Sequence, residues 1–445
     1  TVDQDRGVWL GTIAGVSRHF GLVWQVERDP ALEQQRINAL LLDSAGRTWA
    51  GTELNGLAVL QDGRWEHLTS QNGLPDDRIV SLYEDSAGRI WVGTLTAVGY
   101  WQNGEGWRFF GAATPGLAGV PVYDFEQDAR GSLWLATERG LSQWNEANGF
   151  AAVDRLAGTR VNALFHAREC ALWFGTVSEG VYRLDGDRWE TVTGAGTAQL
   201  NDVVVNGIGQ TDDGSLWVSS YNNGLWRLRD GGWERMDGEL PSPKLLSLHA
   251  AGTNLWVGSR QGLSRFDGRT WQNYAGDILP AASIYALSLD GAGGAWIGSS
   301  TGLAHYRPDR SAPWVRVDSV NLLRAADGTF RLAGNTLEDL RLLAGDLTTL
   351  DRSLVFLTEL RGLDAAPRVF EDAQITGYRD MRLPAGTHAL RITARDTAFN
   401  YSEPVDLTLI VPKLVRLPGG ALVRADALYA VLGIGGIVVV ALSVT

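Results

Sequence analysis

The sequence predicts an all-β protein built around a β-propeller, and two features carry that prediction. A tryptophan recurs eight times, followed by an apolar residue and then by Gly, Ala or Ser; it stands at Trp9, Trp49, Trp91, Trp134, Trp173, Trp217, Trp256 and Trp296. The gaps of 40, 42, 43, 39, 44, 39 and 40 residues match one four-stranded blade. Each repeat also contains four short apolar runs separated by Gly, Asp or Asn, as between Arg36 and Gly73. Residues 1–312 are therefore predicted to form an eight-bladed propeller, or alternatively a seven-bladed ring with one extra blade-like repeat.

A second aromatic position recurs after the third strand of each repeat. It is occupied by Trp24, Trp65, Trp107, Phe150, Trp189, Trp233, Trp271 and Trp314. Eight plus seven of the 18 tryptophans thus fall at two repeat positions, which favours packing over a cofactor box. Because one four-stranded blade cannot bury both faces alone, we expect the indoles to pack between neighbouring blades of a closed ring.

Residues 313–412 carry a different β pattern. Apolar residues alternate at Leu390, Ile392 and Ala394, and again at Leu407, Leu409 and Val411. Alternation of this kind predicts strands with one buried face. About 100 residues of such strands predict a small immunoglobulin-like β-sandwich, followed by a juxtamembrane linker over residues 413–426.

The end of the chain has no charged residue from Ala427 to Val444. These 18 residues would span about 27 Å as a helix, so a truncated transmembrane helix is predicted over 427–445 rather than a buried helix. The cations Lys413, Arg416 and Arg424 precede it and alone would place that side in the cytoplasm. Thr1 aligns with the end of a first strand, so we expect upstream residues that include an export signal. Such a signal would place the propeller and sandwich outside the cytoplasm, in the periplasm or at the cell surface.

Composition excludes several functions. The formal net charge of −12 argues against nucleic-acid binding, which needs a cationic surface. Cys170 is the single cysteine, so neither an intrachain disulfide nor a cysteine-rich metal site can form. It takes the place of a turn glycine that other repeats have at Gly46, Gly88, Gly131 and Gly214. We expect no metal and no cofactor.

The repeats resemble bacterial two-component-regulator propeller repeats, as in DSAGRIWVGT from Asp85 to Thr94 and DARGSLWLAT from Asp128 to Thr137. The segment from Leu383 to Ala394 is similar to the immunoglobulin-like Y_Y_Y module that follows such propellers, with His388 where the family usually has an aromatic residue. The resemblance implies the extracytoplasmic ligand-sensing region of a membrane receptor whose output domain lies beyond Thr445.

Aligning the repeats on their tryptophans predicts a ligand site where the chain enters the innermost strands, at one mouth of the central channel. Four cations occupy one aligned position: Arg36, Arg78, Arg160 and Lys244. Two residues later come Asn38, Tyr123, Asn162, Asn206 and Tyr285, with Val80 and Leu246 in the other repeats. Converging cations would attract a small anionic or carbohydrate-like ligand, although cations at strand starts also serve simply to solvate a surface.

Turns between the second and third strands supply further candidates on the same face or the opposite one. They are Glu53, Asn55, Glu138, Arg139, Glu179, Asn222, Asn223 and Arg260.

Enzyme classes find little support in the sequence. None of the six histidines stands at metal-ligand spacing to another, and no GxSxG nucleophile motif is present. We therefore expect no catalytic residues in this chain. The competing class is a non-catalytic propeller scaffold in a membrane complex, with other protein subunits or a homodimer partner; the sequence beyond Thr445 would distinguish a receptor from a scaffold.

Overall fold

The structure, a computed structural model, describes part of the chain: residues 8–12, 15–19, 24–192, 203–274, 279, 281–290, 293–308, 310–317, 323–325, 328–332, 335–337, 340–345, 354–371, 373–375, 378, 381–416 and 422–424. Its described elements are β-strands and one short 3-10 helix at Asp237–Glu239. They fall into two compact units, one within Leu22–Pro308 and one within Thr1–Gly21 and Asp309–Thr445.

The first three strands precede the repeats of the larger unit. They are β1 (Val8–Thr12), β2 (Gly15–His19) and β3 (Trp24–Val26). β1 and β2 pair with each other in a two-stranded antiparallel sheet.

Seven four-stranded sheets follow within the described residues, and neighbouring strands are antiparallel throughout. Sheet I contains β4 (Ile37–Leu42), β5 (Thr48–Thr52), β6 (Leu57–Gln61) and β7 (Arg64–Leu68). Sheet II contains β8 (Ile79–Glu84), β9 (Ile90–Thr94), β10 (Ala97–Gln102) and β11 (Gly106–Gly111). Sheet III contains β12 (Val122–Gln127), β13 (Leu133–Thr137), β14 (Gly140–Asn145) and β15 (Gly149–Val153). Sheet IV contains β16 (Val161–His166), β17 (Leu172–Thr176), β18 (Val181–Asp185) and β19 (Arg188–Thr191).

The remaining sheets have the same order. Sheet V contains β20 (Val205–Gln210), β21 (Leu216–Ser220), β22 (Gly224–Arg229) and β23 (Gly232–Arg235). Sheet VI contains β24 (Leu245–Ala251), β25 (Asn254–Ser259), β26 (Gly262–Phe266) and β27 (Trp271–Tyr274). Sheet VII contains β28 (Ile284–Leu289), β29 (Ala295–Ser299), β30 (Leu303–Tyr306) and, as its fourth strand, β3 from the start of the chain.

The seven sheets contact one another in a ring. The first strand of each sheet packs against the first strand of the next, and β28 of sheet VII packs against β4 of sheet I. In sheet VII, Trp24 lies opposite Tyr306. Of the first sequence repeat, only β3 joins a four-stranded sheet, because the β1–β2 hairpin around Trp9 groups with the other unit. Eight sequence repeats thus correspond to seven four-stranded sheets in the described part of the chain.

Tryptophans fill the space between sheets, as the repeat pattern predicts. The seven repeat tryptophans from Trp49 to Trp296 are at most 5% exposed. Trp49 of sheet I lies 6.0 Å from Trp101 of sheet II, and Trp296 of sheet VII lies 6.2 Å from Trp65 of sheet I. These indoles supply much of the apolar area that the ring buries.

The second unit contains the later strands. They are β31 (Trp314–Val317), β32 (Leu323–Arg324), β33 (Phe330–Arg331), β34 (Leu340–Gly345), β35 (Val355–Leu360), β36 (Arg368–Phe370), β37 (Gln374–Ile375), β38 (Gly386–Arg395), β39 (Val405–Val411), β40 (Leu414–Arg416) and β41 (Leu422–Arg424). They form a three-stranded sheet β31-β34-β37, a six-stranded sheet β32-β33-β39-β38-β35-β36 and the pair β40-β41.

One hydrophobic core joins the three-stranded and six-stranded sheets. Leu340 and Leu342 of β34 belong to it together with Phe356 of β35. The alternating residues of β38 and β39 are buried on one face, at exposures of 6% or less, as the sequence predicts: Leu390, Ile392, Ala394, Leu407, Leu409 and Val411.

No helix in the described residues is long and apolar enough to cross a membrane. The helix predicted over 427–445 lies outside the described residues.

Candidate functional site

The cations predicted to line the channel mouth stand at equivalent places in the ring. Arg36, Arg78, Arg160 and Lys244 each immediately precede the first strand of their sheet. The spacing of the repeat tryptophans therefore aligns these positions correctly. Since the first strands contact one another around the ring, their starts lie at one end of it.

The second predicted tier lies at a β-bulge. In all seven first strands the pairing register shifts around the second residue, as between Ile37 and Ala39 of β4. The bulged residues are Asn38, Val80, Tyr123, Asn162, Asn206, Leu246 and Tyr285. A bulge bends the strand and re-aims one side chain, which distinguishes these seven residues from the regular alternation that follows.

The turns after the second strands lie at the same end of the ring as the starts of the first strands. The sequence alone does not decide between this end and the opposite one. The backbone N–H of Glu53 donates to the carbonyl of Arg36 at 2.9 Å, and that of Arg260 donates to the carbonyl of Lys244 at 3.1 Å. Equivalent bonds occur in the other five sheets. We call this end the rim; it comprises the predicted site residues Arg36, Asn38, Arg78, Tyr123, Arg160, Asn162, Asn206, Lys244 and Tyr285 together with Glu53, Glu138 and Arg260.

Carboxylates neutralise three of the four cations that precede the first strands. Arg36 lies 3.0 Å from Glu53, and Arg78 donates to both carboxylate oxygens of Asp76 at 2.8 and 2.7 Å. The hydrogen bond from Arg78 lowers the pKa of Asp76 below its usual value. Arg160 lies 3.8 Å from Glu138.

Lys244 is the exception, because its ammonium has no carboxylate within 4.0 Å among the described residues, and its side chain is exposed. Of the four cations that precede the first strands, Lys244 is thus the one without a carboxylate partner among the described residues.

Two tyrosines form flat surfaces beside the rim arginines. The Arg160 guanidinium carbon lies 3.9 Å from the centroid of the Tyr123 ring, and that of Arg36 lies 4.9 Å from the Tyr285 ring. Tyr123 donates its hydroxyl hydrogen to Glu138. Burial, together with this carboxylate, raises the pKa of Tyr123 to about 12, so its phenol stays protonated at neutral pH.

The rim asparagines tie neighbouring sheets together. Asn38 donates to the carbonyl of Ile79 in the next sheet at 2.9 Å, and Asn206 donates likewise to Leu245 at 2.8 Å. Asn162 donates to the side-chain oxygen of Asn206 at 3.4 Å. The rim therefore combines amides, guanidinium groups and phenols, which offer hydrogen-bond donors and acceptors at low net charge.

Further along β12 lie two carboxylates that the sequence analysis missed. Asp124 accepts a hydrogen bond from the backbone N–H of Leu164 in sheet IV at 2.8 Å. Burial raises the pKa of Asp124 to about 7 and that of Glu126 to about 8, with repulsion from Asp124 adding to the latter. The detectable signal was that no other first strand carries an acid at either aligned position, where residues such as Ala39 and Leu41 stand.

Histidine–carboxylate pairs occur away from the rim. His67 of β7 lies 3.2 Å from Asp29, and His305 of β30 lies 3.5 Å from Asp290. Among the described residues no group of three or more His, Cys, Asp or Glu side chains is placed to hold a metal ion.

Known proteins share this architecture. A family model described as Two component regulator propeller matches residues 73–96. The extracellular domains of two putative hybrid two component systems from B. thetaiotaomicron are similar in structure: one is 18% identical with a TM-score of 0.58 and covers 92% of this chain and 61% of its own. The second is also 18% identical, with a TM-score of 0.53 and coverages of 94% and 62%.

The chain is a β-propeller protein. It spans about three fifths of the length of those two domains. Virginiamycin B lyase from Staphylococcus aureus is 16% identical with a TM-score of 0.51, over 63% of this chain and 98% of the lyase. A comparison with curated protein sequences gives no match. At these identities the likenesses establish the fold alone.

Proposed function

We propose that this chain is the ligand-sensing, extracytoplasmic region of a membrane-anchored bacterial receptor of the two-component type, and that it binds its ligand at the rim. One observation carries the proposal: all seven first strands present a bulged residue at the same end of the ring, and polar or aromatic side chains occupy five of those positions. The match to the Two component regulator propeller model and the fold shared with extracellular domains of two component systems support the sensing role.

The chemistry of the rim favours a hydroxyl-rich ligand over a small multivalent anion. Phosphate-like ligands select unpaired cations, whereas Arg36, Arg78 and Arg160 already face carboxylates. Sugars use planar polar groups together with aromatic faces, which Tyr123 and Tyr285 offer. Lys244 leaves room for one negative charge on such a ligand.

The wider organisation is part of the same proposal. We infer a seven-bladed ring, supported by the contact between β28 and β4, an immunoglobulin-like sandwich of the Y_Y_Y type in the second unit, and a membrane helix over 427–445. Ligand binding would favour one packing of paired sandwiches, and the segment after Val411 would pass the change to an output domain. Such coupling requires different ligand affinities in two states.

Calorimetric titration of the whole chain with oligosaccharides of different composition, and with phosphate and sulfate, tests the site. We expect at least one oligosaccharide to bind more tightly than either anion. Changing Tyr123→Ala together with Arg160→Ala should weaken that binding at least tenfold, or about 1.4 kcal/mol. The matched control is Arg130→Ala, an exposed arginine at the opposite end of sheet III.

Oligosaccharide binding that survives unchanged in the Tyr123→Ala, Arg160→Ala variant would exclude the rim. Tight binding of phosphate alone, lost in Lys244→Ala, would instead favour an anion sensor.

A further inference from the structure

Most repeat tryptophans of the ring have a cationic or imidazole side chain of the same chain over their face. Guanidinium carbons lie 5.1, 5.9, 5.5 and 5.0 Å from the ring centroids in the pairs Arg47–Trp49, Arg183–Trp173, Arg227–Trp217 and Arg265–Trp256. His305 stacks on Trp296 at 4.1 Å. Trp91 packs against Trp144, whose other contacts include Arg89 at 4.6 Å. Cations attract the negative face of an indole.

Sheets I and II build this arrangement in the same way. In sheet I, Asp43 accepts hydrogen bonds from the Trp49 indole at 2.8 Å and from Arg47 Nε at 2.6 Å. The Arg47 guanidinium also lies 4.7 Å from the Trp101 ring of sheet II. It is thus held between two indoles by one carboxylate.

Sheet II repeats that arrangement. Asp85 accepts from the Trp91 indole at 2.8 Å and from Arg89 Nε at 2.7 Å. The Arg89 guanidinium lies 4.6 Å from the Trp144 ring of sheet III and 5.5 Å from the Tyr100 ring of sheet II, so here one of the two rings is a phenol. Both aspartates are 4% exposed, since the guanidinium covers them.

Sheet III has the tryptophan and the aspartate but lacks the arginine. Asp128 accepts from the Trp134 indole at 3.0 Å and from the backbone N–H of Ser132 at 2.9 Å. Ser132 stands where sheets I and II have Arg47 and Arg89. No cation lies over Trp134 among the described residues, and Asp128 is more exposed than its two counterparts.

A cavity of about 440 Å³ opens at this place between sheets III and IV. We call it the III–IV cavity. Its lining includes Asp128, Trp134, Gln143, Leu184, Asp187 and Trp189. Trp189 of sheet IV lies 6.4 Å from Trp134, so two indoles border the cavity. Trp189 takes the place of Trp107 in sheet II, while Leu184 stands where sheet II has Trp101.

We propose that the III–IV cavity binds the guanidinium group of an arginine side chain or of a small guanidino compound supplied by another molecule. The chain itself shows twice how an aspartate and two aromatic rings hold a guanidinium, and here an aspartate and two indoles, Trp134 and Trp189, stand beside an open space. A planar guanidinium can lie flat on an indole while donating sideways to a carboxylate, which an ammonium cannot do. The lining also contains Asp187 and Asp185, of which Asp185 is paired with Arg183 at 2.9 Å. Arg130, in the turn after Asp128, is an opposing charge.

The III–IV cavity lies at the end of the ring opposite the rim. Val122 pairs with Thr137 near the rim, whereas Gln127 pairs with Leu133 next to the cavity. The inference is therefore independent of the proposed ligand site. Cys170, the single cysteine of the chain, also lines the cavity and is exposed, so its reactivity reports an occupant.

Two measurements on the whole chain test the proposal. Calorimetric titration uses Nα-acetyl-arginine amide, agmatine and the peptide acetyl-Gly-Arg-Gly-amide, with the citrulline and lysine analogues of the first as controls. Alkylation of Cys170 by iodoacetamide is timed with and without each compound. We expect the arginine compounds to bind and to slow alkylation at least twofold, and the neutral citrulline analogue to do neither. Tighter binding of the peptide than of agmatine would identify a polypeptide source, and the reverse a small molecule.

Substitutions make the result specific. Ser132→Arg should fill the cavity from within and reduce arginine binding at least tenfold, whereas the matched Ser132→Ala should bind like the wild type. Asp128→Asn should also weaken arginine binding at least tenfold. If circular dichroism shows that Ser132→Arg does not fold, the Asp128→Asn variant tests the proposal in its place. Absence of binding by every arginine compound, or equal binding by wild type, Ser132→Arg and Asp128→Asn, would overturn the proposal.

Discussion

Cys170 has a backbone conformation that L-residues rarely adopt. Its φ is +65°, and the glycines at the same turn position in other sheets have φ between +74° and +83°: Gly46, Gly88, Gly131 and Gly214. The alignment of repeats predicts this equivalence, and the structure confirms it. A side chain in the left-handed region costs about 1 kcal/mol or more.

Replacing Cys170→Gly should therefore raise the free energy of unfolding by about 1 kcal/mol, measured by urea titration. The control Gly131→Ala places a side chain at φ +82° and should lower it by a similar amount. Equal stability of the Cys170→Gly variant and the wild type would show that this turn absorbs the strain elsewhere.

Residue-scale electrostatics marks a limit of prediction from sequence. The position of Arg78 follows from the repeat spacing, but its pairing with Asp76 at 2.7 Å depends on side-chain direction. Likewise Asp43 and Trp49 are visible in the repeat, whereas the Arg47 guanidinium also contacts Trp101 of another sheet. The repeat pattern predicts that indoles pack between sheets, but which side chains meet there is set by the ring and cannot be read from one repeat.

At the scale of the element, β12 differs from the other first strands. Its carboxyls Asp124 and Glu126 have pKa values raised to about 7 and about 8, chiefly by burial. In the unfolded chain these two carboxyls have pKa values of about 4. Folding therefore favours their protonated forms. Their contribution to stability is fully present below about pH 4 and is lost as pH rises through about 7 to 8.

The free energy of unfolding should consequently fall between about pH 5 and pH 8 by at least about 1 kcal/mol more in the wild type than in the Asp124→Asn, Glu126→Gln variant. Urea titrations at the two pH values measure both, and the variant subtracts the contribution of every other titrating group. An identical pH dependence in the two proteins would mean that solvent reaches these carboxyls and keeps their pKa values ordinary.

The β-bulge at the second residue of each first strand is a structural feature that the sequence does not predict. The tryptophan spacing suffices to align Asn38 with Tyr123 and Asn206, but residue types as different as Asn, Tyr and Leu give no sequence signal for a bulge. The bulge arises from pairing with the second strand. Likewise, backbone bonds such as that from the N–H of Glu53 to the carbonyl of Arg36, and no feature of the sequence, reveal that the turns after the second strands lie at the same end of the ring as the cations.

For the whole molecule, the difference between eight repeats and seven four-stranded sheets has a physical cause. A sequence repeat runs from first to fourth strand, but sheet VII takes its fourth strand, β3, from the first repeat. The strand that carries Trp314, aligned with Trp24 in sequence, pairs instead with β34 in the other unit. Repeat boundaries and sheet boundaries therefore do not coincide, and the repeat tryptophans outnumber the four-stranded sheets of the described residues by one.

If β3 closes the ring, two truncations should behave differently. Removing residues 1–21 deletes the β1–β2 hairpin and leaves β3 paired with β30, whereas removing residues 1–26 also deletes Trp24, which packs 4.7 Å from Tyr306. The longer deletion exposes the β30 edge and loses a half-buried tryptophan, at a cost below the roughly 3–5 kcal/mol of a fully buried one. Urea unfolding followed by tryptophan fluorescence, with light scattering for aggregation, should show a lower midpoint and association for the longer deletion alone. If the two truncated proteins unfold alike, contacts between the sheets stabilise the ring and the pairing of β3 with β30 does not contribute.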